Sequence, residues 1–175
     1  MGDKKKILII GGGVAGMAAA SSLKALGFDV TLVEREPALG GHVSHWGRVF
    51  PSLRPAEGIV SGLKAELDGV HILTNSDVKS VRDDNGVFKI DLDNRVLQAD
   101  AILVATGYRP FDAALKEEFG YGVYRDVVTS VELERMIKDS ALKVPSTGKV
   151  PEAVAINHCV GSRDKKVGNI YCSRV

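Results

Sequence analysis

The amino-acid sequence predicts an α/β fold in which a parallel β-sheet carries helices and a small antiparallel β-meander. Two short apolar runs, residues 7–10 and 30–33, have the uninterrupted branched side chains of strands buried on both faces of a sheet. Between them, small residues and leucines recur with a helical period over residues 14–26, and Gly27 ends that helix. A strand–helix–strand order of this kind predicts two parallel neighbouring strands.

The rest of the chain alternates between helical and strand patterns. Helices are predicted at residues 56–67 and 130–138, the second with Ser130 as its N-cap. Further buried strands are predicted at residues 70–73 and 101–105. Three alternating segments separated by turn residues predict the antiparallel meander: residues 77–82, 87–92 and 95–98.

The pattern also suggests where one domain ends. Residues 143–151 contain two prolines, a glycine and a serine, which predicts a linker. We therefore expect a first domain over residues 1–145, with the meander inserted at about 77–98. A strand predicted at residues 153–156 would open a second nucleotide-type domain over residues 146–175, and we expect that domain to be truncated.

The net charge and the hydropathy disfavour a nucleic-acid-binding protein and a membrane-spanning protein. The net charge is only +1, with 23 basic and 22 acidic residues, so the sequence offers no electrostatic footprint for nucleic acid. No stretch approaches the roughly 20 apolar residues of a membrane-spanning helix. We expect a cytoplasmic protein whose two cysteines are not a structural disulfide.

A glycine motif follows the first predicted strand. Gly11, Gly13 and Gly16 fit the pattern G-x-G-x-x-G between a strand and a helix. In this pattern the first glycine permits a tight turn, the second lets the backbone approach a pyrophosphate, and the third lets the helix pack closely on the strand. Backbone amides at the start of the helix, including those of Val14 and Ala15, would then face the phosphates. The motif predicts a dinucleotide-binding site.

An acidic residue completes the motif. Glu34 ends the second predicted strand about 20 residues after the glycines, where a carboxylate accepts hydrogen bonds from ribose hydroxyls. Its negative charge would repel a 2′-phosphate, which disfavours NADP. These residues alone leave both NAD and FAD open.

Two later segments distinguish between these cofactors. Residues 34–43 read E-R-E-P-A-L-G-G-H-V, and residues 102–110 read I-L-V-A-T-G-Y-R-P. With the meander between them, they resemble the flavoproteins that have two Rossmann-type dinucleotide-binding domains. The resemblance implies FAD as the cofactor and adds these residues to the cofactor-binding site: Arg35, Gly40, Gly41, His42, Val78, Ala105, Thr106 and Gly107.

A narrower resemblance involves residues 38–53 and the segment N-H-C-V-G-S-R-D…Y-C-S-R-V at residues 157–175. Both are similar to the A subunits of heterodisulfide reductase and of the quinone-interacting membrane-bound oxidoreductase. The resemblance implies a redox protein that transfers electrons between FAD and iron–sulfur, disulfide or quinone-linked partners within a complex. Many heterodisulfide reductase A subunits carry cysteines where this chain has none between Phe50 and Val60. That departure favours the quinone-interacting branch or an uncharacterised relative, and we predict no metal site.

Cys159 and Cys172 have no assigned role. Two thiols are too few for a four-cysteine cluster, and no tight cysteine pair is present. They could be structural thiols, parts of a site completed by other residues, or a redox disulfide. No general acid or base emerges from the sequence, and flavin electron transfer needs none.

Two alternative functions and the oligomeric state stay open. The chain could belong to an NAD(P)H-dependent flavin disulfide oxidoreductase whose NADH domain lies beyond Val175. It could also be a nucleotide-binding fragment without catalytic turnover. The sequence does not decide between a single copy and a homodimer.

Overall fold

The structure, a computed structural model, describes residues 4–171. Within that range the chain forms two compact units, residues 4–107 and 108–171. This division, after Gly107, falls earlier than the domain boundary that the sequence predicts near residue 145. The boundary near residue 145 stays a prediction. Cys172 lies outside the described residues.

The first unit contains the described strands and two of the helices. In chain order these elements are β1 (Lys6–Ile10), α1 (Val14–Ala25), β2 (Asp29–Val33), β3 (Arg48–Val49), β4 (Arg54–Pro55), α2 (Ala56–Ala65), β5 (His71–Leu73), β6 (Val78–Asp84), β7 (Val87–Leu92), β8 (Val96–Ala99) and β9 (Ala101–Val104). Between β2 and α2 the chain also forms a short 3-10 helix, Gly41–His45, and the two-residue strand pair β3–β4.

A four-stranded parallel sheet lies at the centre of this unit, in the order β5-β2-β1-β9. In the register, Ile7 of β1 lies opposite Val30 on one side and Ala101 on the other. All four strands therefore end at the same edge of the sheet. The predicted parallel sheet is confirmed.

Both faces of the sheet are covered. One face packs against α1 and α2 through a core that includes Ile9, Met17, Ala20, Val30, Leu32, Val60 and Leu67. The opposite face packs against the meander β6-β7-β8 through a second core: Leu8, Val33, Ile90, Leu92 and Ala99. Neighbouring residues such as Leu8 and Ile9 enter different cores because alternate side chains of a strand point to opposite faces. This explains why the strands are uninterrupted apolar runs.

The second unit has little regular structure. Its one α-helix among the described residues is α3 (Ser130–Lys138), at the predicted position. The predicted N-cap was wrong, because Thr129 and not Ser130 caps this helix. The Glu132 amide donates to Thr129 Oγ1 over 3.2 Å, and the Thr129 amide donates to the Glu132 carboxylate over 2.7 Å. Such a reciprocal capping box requires the cap to stand three residues before the glutamate.

An ion cluster connects two segments of the second unit. The Lys116 ammonium lies 2.6 Å from the Glu118 carboxylate and 2.5 Å from that of Asp164, and the lysine side chain is 6% exposed. The hydrogen bond to Asp164, and next the one to Glu118, raises the pKa of Lys116, while Lys116 lowers the pKa of Asp164. The cluster thus joins the region of the 3-10 helices, Ala113–Leu115 and Glu117–Phe119, to the segment around residue 164.

The strand predicted at residues 153–156 does not form. These residues pair with no other strand in the described part of the chain, and Val154 and Ile156 are 58% and 69% exposed. A short apolar segment becomes a strand only where a partner strand pairs with its backbone. None of the helices within residues 4–171 combines the length and the apolar character needed to cross a membrane.

Candidate dinucleotide-binding site

The predicted glycine motif forms the loop between β1 and α1. Gly11 has φ +110°, and a β-carbon there would lie 2.3 Å from the carbonyl oxygen of Ala105. At Gly16 a β-carbon would lie 1.8 Å from the carbonyl oxygen of Gly11. Both positions therefore require glycine, because the neighbouring atoms are backbone and cannot move aside. These contacts bring the start of α1 directly onto the end of β1.

Gly13, the second glycine of the motif, borders open space. It is the N-cap of α1 and has no side-chain cap, and no atom lies within 4 Å of the position that its β-carbon would take. The amides of Val14, Ala15 and Gly16 have no partner within the helix, since the first turn of a helix leaves its N–H groups unpaired. Together with the helix dipole, these amides form a site that fits a pyrophosphate.

Glu34 lies beside this loop with its carboxylate already oriented. The residue is 8% exposed and follows β2 directly. The Gly12 amide donates to its Oε2 over 2.7 Å, and the Glu36 amide donates to its Oε1 over 2.9 Å. Each carboxylate oxygen keeps a further acceptor position, so the pair can receive two neighbouring hydroxyls of a ribose. A buried negative charge at this point disfavours a 2′-phosphate.

The glycine doublet contacts the glycine loop directly. Gly40 has φ +126°, and its amide donates to the Gly12 carbonyl over 2.8 Å. A β-carbon at Gly41 would stand 3.2 Å from the Cα of Gly13. His42 is half-buried in the 3-10 helix that begins at Gly41. The structure thus brings the two predicted glycine segments together at one edge of the sheet.

The segment after β9 reaches the same edge. The Ala105 amide donates to the Ile10 carbonyl over 2.8 Å, next to the contact between Gly11 and the Ala105 carbonyl. Thr106 and Gly107 follow as exposed residues, and Gly107 has φ +71°. This backbone lines one side of the glycine loop, as expected for a segment that passes close to a cofactor.

Arg35 and Val78 lie at the border of the candidate site. Arg35 is 70% exposed and pairs with Glu36 over 3.4 Å. Val78 is half-buried at the start of β6. The hydrogen bond and charge of Lys79, and more weakly the charge of Arg35, lower the pKa of Asp77. A role of Arg35 and Val78 in adenosine binding stays a prediction.

The structure describes only one of the two predicted thiols. Cys159 is a free, exposed cysteine with φ +64°, and it belongs to the second unit. Cys172 lies outside the described residues, so the three roles considered for the pair stay open. Within residues 4–171, no three His, Cys, Asp or Glu side chains come together in a group that could hold a metal ion.

Sequence reasoning missed two residues of the site. The Gly12 amide donates a hydrogen bond to the Glu34 carboxylate, and the buried side chain of Leu39 lies next to Gly12. The sequence contains a weak signal for both. Gly12 is an extra glycine at a position that the motif leaves unspecified, and Leu39 immediately precedes the glycine doublet.

Comparison with known protein families places the chain in one of them. Residues 5–127 match the family described as pyridine nucleotide-disulphide oxidoreductase. The chain belongs to this family. The family is one of FAD-dependent oxidoreductases, which confirms the predicted cofactor.

Curated relatives confirm the narrower resemblance. The chain is 30% identical to the A subunit of the ferredoxin/F(420)H(2)-dependent CoB-CoM heterodisulfide reductase of Methanosarcina acetivorans, over 98% of this chain and 33% of the relative. It is 31% identical to the iron-sulfur A subunit of the CoB–CoM heterodisulfide reductase of Methanocaldococcus jannaschii, over 98% of this chain and 39% of the relative. The chain thus spans between a third and two fifths of the length of these relatives.

The relatives also contain residues inside the matched region that this chain lacks. The match to the Methanosarcina acetivorans protein extends over 260 positions, whereas the whole chain has 175 residues. At least about 85 of those positions are therefore occupied only in the relative. This chain is a shorter version of the corresponding region.

Solved structures share the fold. Thioredoxin reductase of Lactococcus lactis superposes with a TM-score of 0.59 and 24% identity, over 80% of this chain and 46% of that protein. Thioredoxin reductase of T. acidophilum superposes with a TM-score of 0.54 and 21% identity, over 59% of this chain and 36% of that protein. The predicted fold class is confirmed.

Proposed function

We propose that this chain is the FAD-binding part of a redox subunit in a heterodisulfide-reductase-like complex. The observation that carries the proposal is the pairing of two features at one sheet edge. The N-terminus of α1 has no side-chain cap, and the Glu34 carboxylate, joined to it through the Gly12 amide, has free acceptor positions. A pyrophosphate and an adenosine ribose need these two features side by side.

In this proposal the site residues have distinct tasks. The amides of Val14, Ala15 and Gly16 receive the pyrophosphate, which Gly13 allows to approach, and Glu34 receives the ribose hydroxyls. The backbone of residues 105–107 lies along the flavin side of the cofactor. The remaining predicted contacts come from the doublet and from the border of the site: Arg35, Gly40, Gly41, His42 and Val78.

The flavin supplies the one- and two-electron chemistry, and the protein binds and orients it. We propose iron–sulfur proteins as the electron-transfer partners, with disulfide or quinone-linked acceptors further along. The name of one relative supports this, since it includes ferredoxin. These 175 residues contain two cysteines, whereas common clusters bind four thiolates, so we place the clusters outside these residues. A cytoplasmic location and the domain limits 1–145 and 146–175 belong to the same proposal.

The family description favours one alternative, in which a pyridine nucleotide reduces the flavin and a thiol pair accepts the electrons. The discriminating experiment uses the chain loaded with FAD under anaerobic conditions. We expect reduced ferredoxin, and not NADH or NADPH, to bleach the flavin absorbance. Rapid bleaching by NADH or NADPH alone would favour the alternative and contradict the proposed partner class.

A further inference from the structure

Gly12 is the point at which three parts of the site meet, although the glycine motif leaves its position unspecified. Its amide donates to Glu34 Oε2 over 2.7 Å. Its carbonyl accepts the Gly40 amide over 2.8 Å. Both backbone groups of Gly12 are therefore used inside the protein, and its amide is not available to a phosphate.

The side of Gly12 that would carry a side chain is also occupied. A β-carbon there would lie 2.4 Å from Leu39 Cδ2, 3.0 Å from Glu34 Oε2 and 3.1 Å from Glu34 Cβ. Leu39 is 8% exposed and belongs to the core beneath α1 and α2. A leucine methyl group and the Glu34 carboxylate thus lie on the same side of Gly12. The hydrogen bond between Gly12 and Glu34 is buried, and a charge-assisted hydrogen bond is stronger where water is excluded.

We propose that Gly12 and Leu39 are positioning residues that hold the Glu34 carboxylate in the orientation required to receive both hydroxyls of the adenosine ribose. The proposal rests on the proposed function of the site as a FAD site. Gly12 fixes Oε2 through its amide, and Leu39 closes the space into which the carboxylate would otherwise rotate. Any side chain at Gly12 would displace either the leucine or the carboxylate.

This arrangement gives Gly12 and Leu39 influence over ribose recognition without any contact with the cofactor. A displaced carboxylate would still carry its charge, but it would no longer align with two neighbouring hydroxyls. The affinity for an adenosine ligand with both hydroxyls should then fall more than the affinity for one that lacks the 2′-hydroxyl. This difference separates a positioning role from a general loss of stability, which would weaken both ligands alike.

The test compares the binding of ADP and 2′-deoxy-ADP to the cofactor-free chain by calorimetry. For the unaltered chain we expect a preference for ADP of about 10-fold, the usual effect of one lost hydrogen bond to a charged group. Gly12→Ala should reduce this preference to about 2-fold or less, because the new methyl group displaces the carboxylate. Leu39→Ala should also reduce the preference, to about 3-fold or less, because the carboxylate then has space to rotate.

Gly62→Ala is the matched control, since Gly62 lies in α2 with no atom within 4 Å of its β-carbon position. It should keep the full preference. A Gly12→Ala chain or a Leu39→Ala chain that retains the full preference overturns the proposal. If Gly12→Ala does not fold, Leu39→Ala, which leaves the glycine loop unaltered, decides the test by the same criterion. If the unaltered chain does not distinguish the two ligands, the proposed function of the site fails instead.

Discussion

Gly16 packs so closely on Gly11 that a β-carbon at Gly16 would lie 1.8 Å from the Gly11 carbonyl oxygen. This contact joins the first turn of α1 to the end of β1. The contact between Gly16 and Gly11 sets the distance between the unpaired amides of α1 and the edge of the sheet where Glu34 follows β2. The shape of the site therefore depends on a residue that the cofactor itself need not touch.

Replacing Gly16 should weaken FAD binding more than replacing any single residue that contacts the cofactor. Gly16→Ala forces the helix away from backbone atoms that cannot yield, so we expect a loss of about 2–4 kcal/mol in the free energy of unfolding. FAD binding should fall below detection. Urea denaturation and FAD titration measure the two effects. Gly62→Ala, in the open part of α2, should leave FAD affinity unchanged and raise the free energy of unfolding by at most about 1 kcal/mol. A Gly16→Ala chain with unaltered FAD affinity would contradict the assigned packing.

The Glu34 carboxylate should determine affinity for the adenosine half of FAD. In Glu34→Gln one oxygen becomes an amide nitrogen, which faces a backbone N–H instead of accepting from it. We expect the affinity for FAD to fall about 10- to 100-fold, equivalent to about 1.5–3 kcal/mol. FMN has no adenosine, so its affinity should not change. Fluorescence titration with both flavins provides the comparison, and an equal loss for FMN would argue against ribose binding by Glu34.

Two neighbouring variants test which residue is the N-cap of α3. Thr129→Ala removes the side chain that accepts the Glu132 amide, and we expect it to lower the free energy of unfolding by about 1 kcal/mol. Ser130→Ala, one residue later, should change it by less than about 0.5 kcal/mol, because Ser130 is exposed and is not the cap. Chemical denaturation of the two variants is sufficient. The reverse order of effects would favour the N-cap predicted from sequence.

The Lys116 cluster should make stability depend on pH at both extremes. Hydrogen bonds from Lys116 lower the pKa of Asp164 below its ordinary value of 3.8 and the pKa of Glu118 below 4.5. Their stabilising contribution is present above those ordinary values and is lost as the pH falls through the lowered values. Asp164 and Glu118 raise the pKa of Lys116 above 10.5, so its contribution is present below that pH and is lost as the pH rises through the raised value.

Lys116→Met should therefore lower the midpoint of thermal unfolding by a constant amount at intermediate pH. The difference from the unaltered chain should shrink below about pH 4 and above about pH 10.5. Lys143→Met, at an exposed lysine, serves as the charge-matched control. A difference that stays constant down to pH 3 would show that Lys116 acts through packing and not through its ion pairs.

Much of the first unit follows from local sequence signals. Residues 7–10 and 30–33 are uninterrupted apolar runs because each strand has a core on both faces, and the turns at Asn85-Gly86 and Asp93-Asn94 separate the meander strands. The motif glycines can be predicted from the sequence because a side chain at Gly11 or Gly16 would clash with neighbouring backbone atoms.

The features that the sequence did not disclose depend on contacts between distant residues. Gly12 matters through Glu34 and Leu39, more than 20 residues away, and no spacing rule connects them. Lys116 and Asp164 are 48 positions apart and appear in the sequence as ordinary surface charges. The segment at residues 153–156 has the pattern of a strand, but a strand also requires a partner, which pattern alone does not provide.

The central claim is that the edge of the sheet around Gly13 and Glu34 holds FAD. Titration of the purified, cofactor-free chain with FAD tests it most directly, with NAD and NADP in parallel. We predict one FAD bound per chain, seen as quenched flavin fluorescence, with weaker binding of NAD and none of NADP. A chain that binds NAD or NADP but not FAD would contradict this claim.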